Sequence, residues 1–340
     1  MDIERRQFIA GVGAAATLPL LSSCSRGGDD VRRPPGVPVS PFGDESTAEE
    51  VTAGLDLRGK TALVTGATSG LGLETMRVLA LRGAHVIGTG RTLEKAKAAC
   101  ESVEGRTTPV ALELERWETI VSATDLVKTL GMPIDILVCN AGIMALPTLE
   151  RVYGLEKQFV VNHLGHFILT NRLLPQVQAA PRGRVVVVSS LGYQWAPAGG
   201  IEFDNLDGTR DYVPNKMYGQ SKLANGLFSL ELSRRLREAG SVATSNSVHP
   251  GIILTNLGRH FDPWKRTMGR LIGWTFMKTI PEGAATTCYV ATADALSGVS
   301  GHYFEDCNPV VPMAGKHMDD VALAQQLWQK SAEIVSEYLA

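Results

Sequence analysis

The sequence predicts an α/β protein, with one doubly wound domain, a parallel sheet of about seven strands, and helices on both faces. Three observations lead to this prediction. From residue 55 onward, short runs of Val, Ile and Leu alternate with helical patterns, a glycine-rich turn follows the first run, and polar residues recur where the runs end. Apolar strands separated by helices are typical of a parallel sheet covered on both sides. We therefore expect a single folded domain over residues 55–340.

Composition limits the class of protein. The chain has 340 residues, of which 44% are hydrophobic, and a net charge of −2. These values are sufficient for a large core and exclude both a disordered chain and a basic nucleic-acid-binding protein. We expect a small-molecule partner and no nucleic acid.

Residues 1–24 resemble an export signal. Arg5 and Arg6 precede a short apolar run over residues 8–21, and a small-residue stretch leads to Cys24. The paired arginines resemble the twin-arginine type of signal, and the final stretch resembles a bacterial lipobox. We expect lipid on Cys24 to anchor an exported bacterial protein, on the periplasmic or cell-surface side, to a membrane that it does not cross. The alternative is a disordered tail with a chance arginine pair on a cytoplasmic protein.

Residues 25–54 carry Pro, Gly, Ser and charged residues without apolar periodicity. Such a composition predicts a flexible tether between the anchor and the domain.

The five cysteines show no metal-binding spacing. They are Cys24, Cys100, Cys139, Cys288 and Cys307. We expect no zinc site and no obligatory disulfide framework, because no CxxC or Cys/His pattern is present. The disulfide state of the last four stays open, although Cys139 lies in a strand pattern typical of a buried thiol.

The first strand, residues 60–65, ends in the glycine-rich turn from Gly66 to Gly72. A helix over residues 73–82 follows, and Gly83 ends it. This layout directs backbone N–H groups and a helix N-terminus at a pyrophosphate. The spacing differs from the common GxGxxG pattern. The turn alone therefore leaves both a nucleotide site and plain helix–strand packing open.

The alternation continues through the first half of the chain. We predict strands over residues 85–89, 108–114 and 134–139, and helices over residues 93–102 and 119–130. Ligands of such sheets bind beyond the carboxyl ends of the strands, where Gly66, Arg91 and Asn140 all lie. This shared position favours the nucleotide site.

The second strand indicates which nicotinamide cofactor binds. NAD sites carry an acidic residue there that accepts from the ribose 2′-hydroxyl. This strand is followed by Arg91, and no Asp or Glu occurs before Leu93. An arginine can bind a 2′-phosphate through paired charge-assisted hydrogen bonds. NADP(H) is therefore favoured over NAD(H), the alternative being an exposed arginine at a helix start.

The second half of the chain continues the pattern with longer elements. We predict helices over residues 153–174, 216–239 and 321–339, strands over residues 184–190 and 243–248, and a polar loop over residues 192–214. Asn162 falls inside the first helix, where an asparagine is unfavourable unless its side chain or the local backbone has a role.

Tyr218 and Lys222 lie four residues apart on a predicted helix, so they share one face. A free tyrosine has a pKa of about 10. A neighbouring ammonium favours the phenolate and lowers that value toward the working range. The pair is typical of a proton donor with a cation that tunes it. By itself the spacing is a weak signal and favours a solvated helix face.

The motifs taken together resemble the short-chain dehydrogenase/reductase family. They are Thr65-Gly-x-x-x-Gly-x-Gly72, Asn140-Ala-Gly142, Asn162, Ser190, Tyr218-x-x-Ser-Lys222 and Pro250-Gly251. The similarity covers about residues 57–340, and the ordered set is far more specific than any one motif. The insertion between Ser190 and Tyr218 and the Ser221-Lys-Leu-Ala-Asn225 stretch are similar to the retinol dehydrogenase-like branch.

The resemblance implies a Rossmann-type, NAD(P)-dependent oxidoreductase acting on a carbonyl or alcohol. It implies that Tyr218 exchanges the proton, that Lys222 lowers the pKa of this tyrosine and binds the nicotinamide ribose, and that Ser190 donates to the substrate oxygen. Asn162 would hold a water that connects Lys222 to solvent. The alternative function is a non-catalytic NADP-binding sensor or scaffold.

The resemblance also implies the cofactor contacts. We expect these at Gly66, Thr68, Ser69, Gly70, Leu71, Gly72, Arg91, Glu113, Leu114, Asn140, Ala141, Gly142, Tyr218, Lys222, Pro250, Gly251 and Thr255. Glu113 stands where the family usually has an aspartate near the adenine. We expect structural or surface roles for His163, His166 and His249, and a structural role for Ser189.

Residues 256–280 lie where this family places its variable substrate-covering segment. Trp264, Trp274 and other large apolar side chains are interleaved there with basic residues. An apolar cover suggests a hydrophobic substrate. A core helix or a surface that packs in a homo-oligomer is the open alternative.

Overall fold

The computed structural model describes residues 32–253 and 277–339. The signal segment with Cys24, the predicted contact at Thr255 and most of the segment 256–280 lie outside the described residues.

The described helices and strands alternate through most of the chain. The helices are α1 (Ala48–Val51), α2 (Gly70–Leu81), α3 (Leu93–Glu101), α4 (Trp117–Thr129), α5 (Lys157–Phe159), α6 (Gly165–Gln178), α7 (Pro214–Glu238), α8 (Ile280–Thr292) and α9 (Val321–Ile334). The strands are β1 (Thr61–Val64), β2 (His85–Gly90), β3 (Thr107–Ala111), β4 (Ile136–Cys139), β5 (Arg151–Val152), β6 (Leu155–Glu156), β7 (Arg184–Val188), β8 (Thr244–His249), β9 (Tyr303–Glu305) and β10 (Asn308–Val310).

Eight strands form one sheet in the order β10-β9-β8-β7-β4-β1-β2-β3. All neighbouring pairs are parallel except β9 and β10, which form an antiparallel hairpin at the edge. The chain runs outward from β1 on one side and from β4 on the other. Ligands of open α/β sheets bind at such a reversal. The predicted doubly wound fold is confirmed. The sheet has eight strands where about seven were predicted, because the hairpin at its edge adds the antiparallel strand β10.

The central strands are buried on both faces, as their continuous apolar sequences require. Every residue of β1, β4 and β7 is buried. Helices cover the two faces, because a sheet of this composition must remove both from water. Within the described residues, no helix has the length and apolar character needed to span a bilayer. Cys100, Cys139, Cys288 and Cys307 are buried free thiols.

The predicted tether differs from the structure over residues 33–54. This stretch belongs to the compact unit that begins at Arg33. Ala48 and Val51 of α1 are buried against α8 and α2, and the Ser40 N–H donates to Asn308 Oδ1 at 3.0 Å. Asn308 Nδ2 in turn donates to the Phe42 carbonyl at 2.7 Å. This stretch contains too few apolar residues to show a helical or strand periodicity. They are nevertheless buried, because they pack against α8 and β10.

The helix predicted over residues 153–174 is interrupted. Its first residues form the hairpin of β5 and β6, and Tyr153 in the turn has a φ of 52°. Between α5 and α6, Val160–Leu164 forms a π-helical turn that contains Asn162. Such widened turns often occur at functional sites. The irregular backbone lies beside the crevice described next.

Candidate active site

A crevice forms where the carboxyl ends of β1, β4 and β7 meet the N-terminus of α2. The turn after β1 needs glycine at two positions. Gly66 has a φ of 66°, and a Cβ atom on Gly72 would lie 2.4 Å from the Gly66 carbonyl oxygen. Among the described side chains, none caps the first turn of α2 at Ser69. Main-chain N–H groups there are available to an anion.

Thr65 joins this turn to the end of β4. Its Oγ1 accepts from the backbone N–H of Asn140 at 2.8 Å and from that of Ala141 at 3.0 Å. Asn140 Nδ2 donates back to the Thr65 carbonyl at 2.8 Å. The two strand ends are thereby held at a fixed distance.

The outer part of the crevice is formed by residues after β2 and β3. Gly90 lets β2 approach the turn, since a Cβ there would lie 2.6 Å from Thr68 Cγ2. Arg91 follows β2 and is exposed, immediately before the start of α3. Glu113 is half-buried, with its carboxylate 3.9 Å from Arg116, and the buried Leu114 packs against α6.

Tyr218 and Ser190 meet on the opposite side of the crevice. Tyr218 is only 3% exposed on α7, and the Ser190 hydroxyl is close enough to its phenol to act on the pKa of this group. Ser190 Oγ also accepts from the Gly192 N–H at 3.0 Å, which fixes the orientation of its hydroxyl. A Cβ on Gly192 would lie 2.7 Å from the Tyr218 ring, so only glycine permits this approach.

Lys222 lies one helical turn beyond Tyr218. Its Nζ is 5.8 Å from the centroid of the tyrosine ring and donates to the Val188 carbonyl at 3.1 Å. Burial lowers the pKa of Lys222 to about 8. The ammonium is therefore charged at neutral pH and loses its proton in mildly alkaline solution.

The protonation of Tyr218 differs from the sequence-based expectation. Burial raises the pKa of Tyr218 to about 12, and the Ser190 hydroxyl opposes this shift. The lowering expected from Lys222 is not found, because removal of the phenolate from water has the dominant effect. At neutral pH this phenol carries its proton.

Asn162 connects the π-helical turn to the loop after β4. Its Oδ1 accepts from the Ile143 N–H at 2.8 Å, and its Nδ2 donates to the Ile143 carbonyl and to Ser221 Oγ, each at 2.9 Å. A Cβ on Gly142 would lie 3.1 Å from Asn162 Oδ1 and 3.5 Å from Lys222 Nζ. The Asn162 side chain thus orients the loop that approaches Lys222.

Comparison with known proteins shows which enzyme family the chain resembles. Residues 60–203 match the short chain dehydrogenase family. The chain is 42% identical to short-chain dehydrogenase TIC 32 B, chloroplastic, of Brassica napus, over 87% of this chain and 95% of that protein.

The chain belongs to the short-chain dehydrogenase family.

Two further relatives of this short-chain dehydrogenase are informative. Human retinol dehydrogenase 14 is 39% identical, over 82% of this chain and 87% of its own length. The crystal structure of an uncharacterized protein from Mycobacterium paratuberculosis superposes with a TM-score of 0.69 at 33% identity, covering 84% of this chain and 97% of that one. The predicted similarity to retinol dehydrogenases is confirmed. The protein is an NAD(P)-dependent oxidoreductase of a family that acts on small-molecule carbonyls or alcohols.

The residues of this short-chain dehydrogenase fit a nicotinamide dinucleotide. The uncapped α2 N-terminus matches a pyrophosphate, and the glycines at 66 and 72 leave the backbone accessible. Pro250 and Gly251 follow β8 at the same edge, and Gly251 has a φ of 91°. The individual contacts assigned from sequence stay predictions.

Several residues of this site were missed or were given only a structural role. The missed Ser221 Oγ donates to the Tyr218 carbonyl at 2.7 Å as well as accepting from Asn162. His249 Nδ1 accepts from the Leu191 N–H at 3.3 Å, and Ser189 Oγ donates to the Lys222 carbonyl at 2.7 Å. His166 bridges two parts of the crevice. The sequence signal for it was its position four residues after Asn162, on the same helix face.

Proposed function

We propose that this short-chain dehydrogenase is an NADPH-dependent reductase of a hydrophobic aldehyde or ketone, with Tyr218 as the proton donor. The single observation that carries the proposal is the buried Tyr218 ring with the Lys222 ammonium 5.8 Å from its centroid and with Ser190 near enough to act on the pKa of the phenol. Bound nicotinamide supplies the hydride, and the protein supplies position and charge.

The protonation state of Tyr218 favours reduction. A carbonyl oxygen gains negative charge when hydride adds to its carbon, and a neutral phenol at that oxygen can donate its proton. Because the pKa of Tyr218 is raised to about 12 by burial, the phenol is protonated throughout the physiological range.

Ser190 serves as the second donor to the same oxygen. Its hydroxyl acts on the pKa of the Tyr218 phenol, and the Gly192 N–H occupies one of its lone pairs. A carbonyl oxygen placed between the two hydroxyls would receive two hydrogen bonds. Such preoriented donors stabilise the charge that develops in the transition state.

Lys222 and Asn162 complete the proposed relay. Lys222 is charged at neutral pH and lies close enough to the crevice to bind ribose hydroxyls and to return a proton to Tyr218. Asn162 fixes the loop at Ile143, whose backbone groups it holds at 2.8 and 2.9 Å. The relay therefore depends on both residues for its geometry.

Arg91 supports the choice of NADPH. It is exposed at the carboxyl end of β2, and the segment from Gly88 to Leu93 contains no carboxylate. A guanidinium at this position is suited to a 2′-phosphate, whereas a ribose 2′-hydroxyl would lack its usual acidic acceptor.

The substrate class rests on the surroundings of Tyr218 and on the relatives. The Trp195 ring lies 6.2 Å from that of Tyr218, and the half-buried Ile143 and Met144 follow Gly142 at the crevice. Several similar proteins, human retinol dehydrogenase 14 among them, bear the name retinol dehydrogenase. An apolar aldehyde or ketone fits this lining better than a charged one.

The test is a substrate panel read by the loss of NADPH absorbance. Linear and cyclic aldehydes and ketones of increasing length are compared with charged carbonyls, using wild type and Tyr218→Phe. We expect turnover to increase with apolar size and to be lost in the variant, while NADPH binding is retained. Unchanged turnover by Tyr218→Phe would refute the assignment and favour a nucleotide-binding sensor or scaffold.

We further propose that the protein is exported and anchored through lipid on Cys24, on the strength of the N-terminal pattern. Because free NADPH is not expected outside the cytoplasm, the cofactor would travel bound or the enzyme would act before export. Fractionation of cells followed by mass spectrometry of the N-terminus tests this location. An intact Met1 in the soluble fraction would favour the cytoplasmic alternative.

A further inference from the structure

His166 lies between the cofactor side and the catalytic side of the crevice. It is 1% exposed, and both ring nitrogens are in hydrogen-bonding contact. Nδ1 lies 3.0 Å from the main-chain carbonyl of Asn162, and Nε2 lies 2.9 Å from Thr65 Oγ1. Thr65 in turn holds the backbone of Asn140 and Ala141. A single imidazole therefore joins the π-helical turn to the glycine-rich turn.

The contacts define the tautomer of this ring. The Asn162 carbonyl can only accept, so Nδ1 carries the hydrogen. The lone pairs of Thr65 Oγ1 are occupied by two backbone N–H groups, so its hydroxyl is a donor. Nε2 is the nearer acceptor, at 2.9 Å against 3.3 Å for the Val138 carbonyl. His166 is thus a neutral ring that donates on one side and accepts on the other.

The surroundings keep the ring neutral. Burial lowers the pKa of His166 to about 4, the hydrogen bond with the Asn162 backbone opposes that shift, and the charge of Lys222 adds to it. A ring that stays neutral cannot pass a proton along its two bonds without changing tautomer. Its contribution is therefore orientation.

We propose that His166 is a positioning residue, which holds the backbone at Asn162 for the proton relay and the Thr65 contact with Asn140 and Ala141 for the cofactor. This inference rests on the proposed function. It assigns the residue two separable roles. The Nδ1 contact affects how Lys222 and Tyr218 are supplied with protons, and the Nε2 contact affects how the nucleotide is bound.

His163, three residues earlier, provides a matched control. It is also 1% exposed, and its Nε2 contacts Ser331 Oγ of α9 at 2.8 Å. Its ring packs among Phe159, Phe167 and Phe228, away from Thr65. Substitution of His163 therefore removes a buried imidazole from the same helical stretch without altering either contact of His166.

The experiment uses three substitutions that separate the two contacts. An asparagine amide places Nδ2 near the position of the imidazole Nδ1, and a glutamine places Oε1 near the position of Nε2. His166→Asn keeps the Asn162 contact, His166→Gln keeps the Thr65 contact, and His166→Leu keeps neither. His163→Leu is the control. If His166→Leu does not fold, His166→Asn and His166→Gln still separate the two contacts.

Two readouts are compared on the full chain. The first is the dissociation constant of NADPH, measured by fluorescence without any carbonyl. Loss of one hydrogen bond corresponds to about a 5-fold weakening, so we expect this in His166→Asn and His166→Leu, with His166→Gln near wild type. The second is the pH midpoint of the alkaline decline in the reduction of a model aldehyde such as nonanal. We expect it to shift in His166→Gln and His166→Leu and to stay in His166→Asn.

The proposal is supported if His166→Asn weakens NADPH binding but keeps the pH midpoint, while His166→Gln keeps NADPH binding but shifts the pH midpoint. The proposal is overturned if all three variants resemble His163→Leu, with a lower melting temperature but the wild-type NADPH affinity and pH midpoint. It is also overturned if the NADPH affinities and the pH midpoints distribute among the three variants in any other way. If wild type reduces no carbonyl, the proposed function fails by itself. The NADPH affinities then still decide the role of the Thr65 contact, because they need no turnover.

Discussion

The two sides of the crevice are built from different chemical groups. On the cofactor side, main-chain groups set the geometry: the Gly66 carbonyl, the uncapped N–H groups of α2 and the backbone of Asn140. On the catalytic side, buried side chains set it, chiefly Tyr218 and Lys222. A backbone surface depends on shape and tolerates no added atoms. A side-chain surface depends on protonation and orientation.

The difference predicts separable failures. Changes to the cofactor side should weaken nucleotide binding, with turnover lost only as a consequence. Removal of the Tyr218 or Ser190 hydroxyl on the catalytic side should lower turnover and leave nucleotide binding in place, whereas Lys222, which is proposed to bind the ribose, belongs to both functions.

Substitution of Tyr218 by Phe should lower kcat by about 10²- to 10⁴-fold, because the proposed general acid is removed while the ring is kept. The NADPH dissociation constant should change less than twofold, as measured by fluorescence. Ser190→Ala is the companion variant, with an intermediate loss of kcat because Tyr218 remains. A Tyr218→Phe enzyme that loses NADPH binding to the same extent would break the division.

Substitution of Gly72 by Ala should weaken NADPH binding by about 10- to 100-fold. An added Cβ would lie 2.4 Å from the Gly66 carbonyl oxygen, and overpacking of this kind costs about 1–3 kcal/mol. Gly199→Ala is the matched control, since a Cβ there meets no atom within 4 Å. Circular dichroism distinguishes a displaced turn from an unfolded protein. Equal affinities in the two variants would contradict the proposed position of the cofactor.

Substitution of Arg91 by Leu should weaken NADPH binding by about 10-fold, because one charge-assisted contact to the 2′-phosphate is lost. NADH binding should be unchanged, since NADH has no such phosphate. Arg182→Leu controls for lost surface charge, because Arg182 precedes β7 and lies at the opposite edge of the sheet. If NADPH and NADH binding decrease together, Arg91 has no role in the choice of cofactor.

The pH dependence tests the catalytic side alone. Tyr218, with a pKa of about 12, stays protonated, whereas Lys222, with a pKa lowered to about 8 by burial, loses its charge as the pH rises through that value. The kcat for reduction should therefore decline above about pH 8. NADPH-saturated rates between pH 6 and 10 provide the measurement. A constant rate up to pH 10 would show that the charge of Lys222 is not needed.

The N-terminal arm, residues 33–54, should affect neither side. Val51→Ala removes two buried methyl groups and should lower stability by about 1–2 kcal/mol with kcat unchanged. Val39→Ala, at a position that is 60% exposed, should leave the melting temperature unchanged. Scanning calorimetry compares the two. A loss of kcat in Val51→Ala would connect the arm to the crevice.

The cofactor side was also the more predictable side. Gly66 and Gly72 are tied to one turn by local chain geometry, so their spacing locates the turn in the sequence. Tyr218 and Lys222 were paired by helical periodicity, but the pKa of Tyr218 was expected to be lowered and is raised. Burial decides that sign, and burial depends on Gly192, Trp195 and α7 packing together from distant parts of the chain.

The arm shows a second limit of the sequence. Residues 33–54 have the composition of a tether, yet Ser40, Phe42 and Val51 are held by α8 and by Asn308. Asn308 is separated from Ser40 by 268 residues, so no local pattern indicates this contact. The same applies to His166, whose contact with Thr65 spans 101 residues.

The sequence by itself determined the alternation of strands and helices, the glycine-rich turn and the identity of the residues around the crevice. These follow from periodicity and from steric limits that act between near neighbours. Only the tertiary structure decided the protonation of Tyr218 and Lys222, the bridge through His166 and the docking of the arm. Desolvation and long-range hydrogen bonds depend on which distant segments meet, and that is a property of the folded chain.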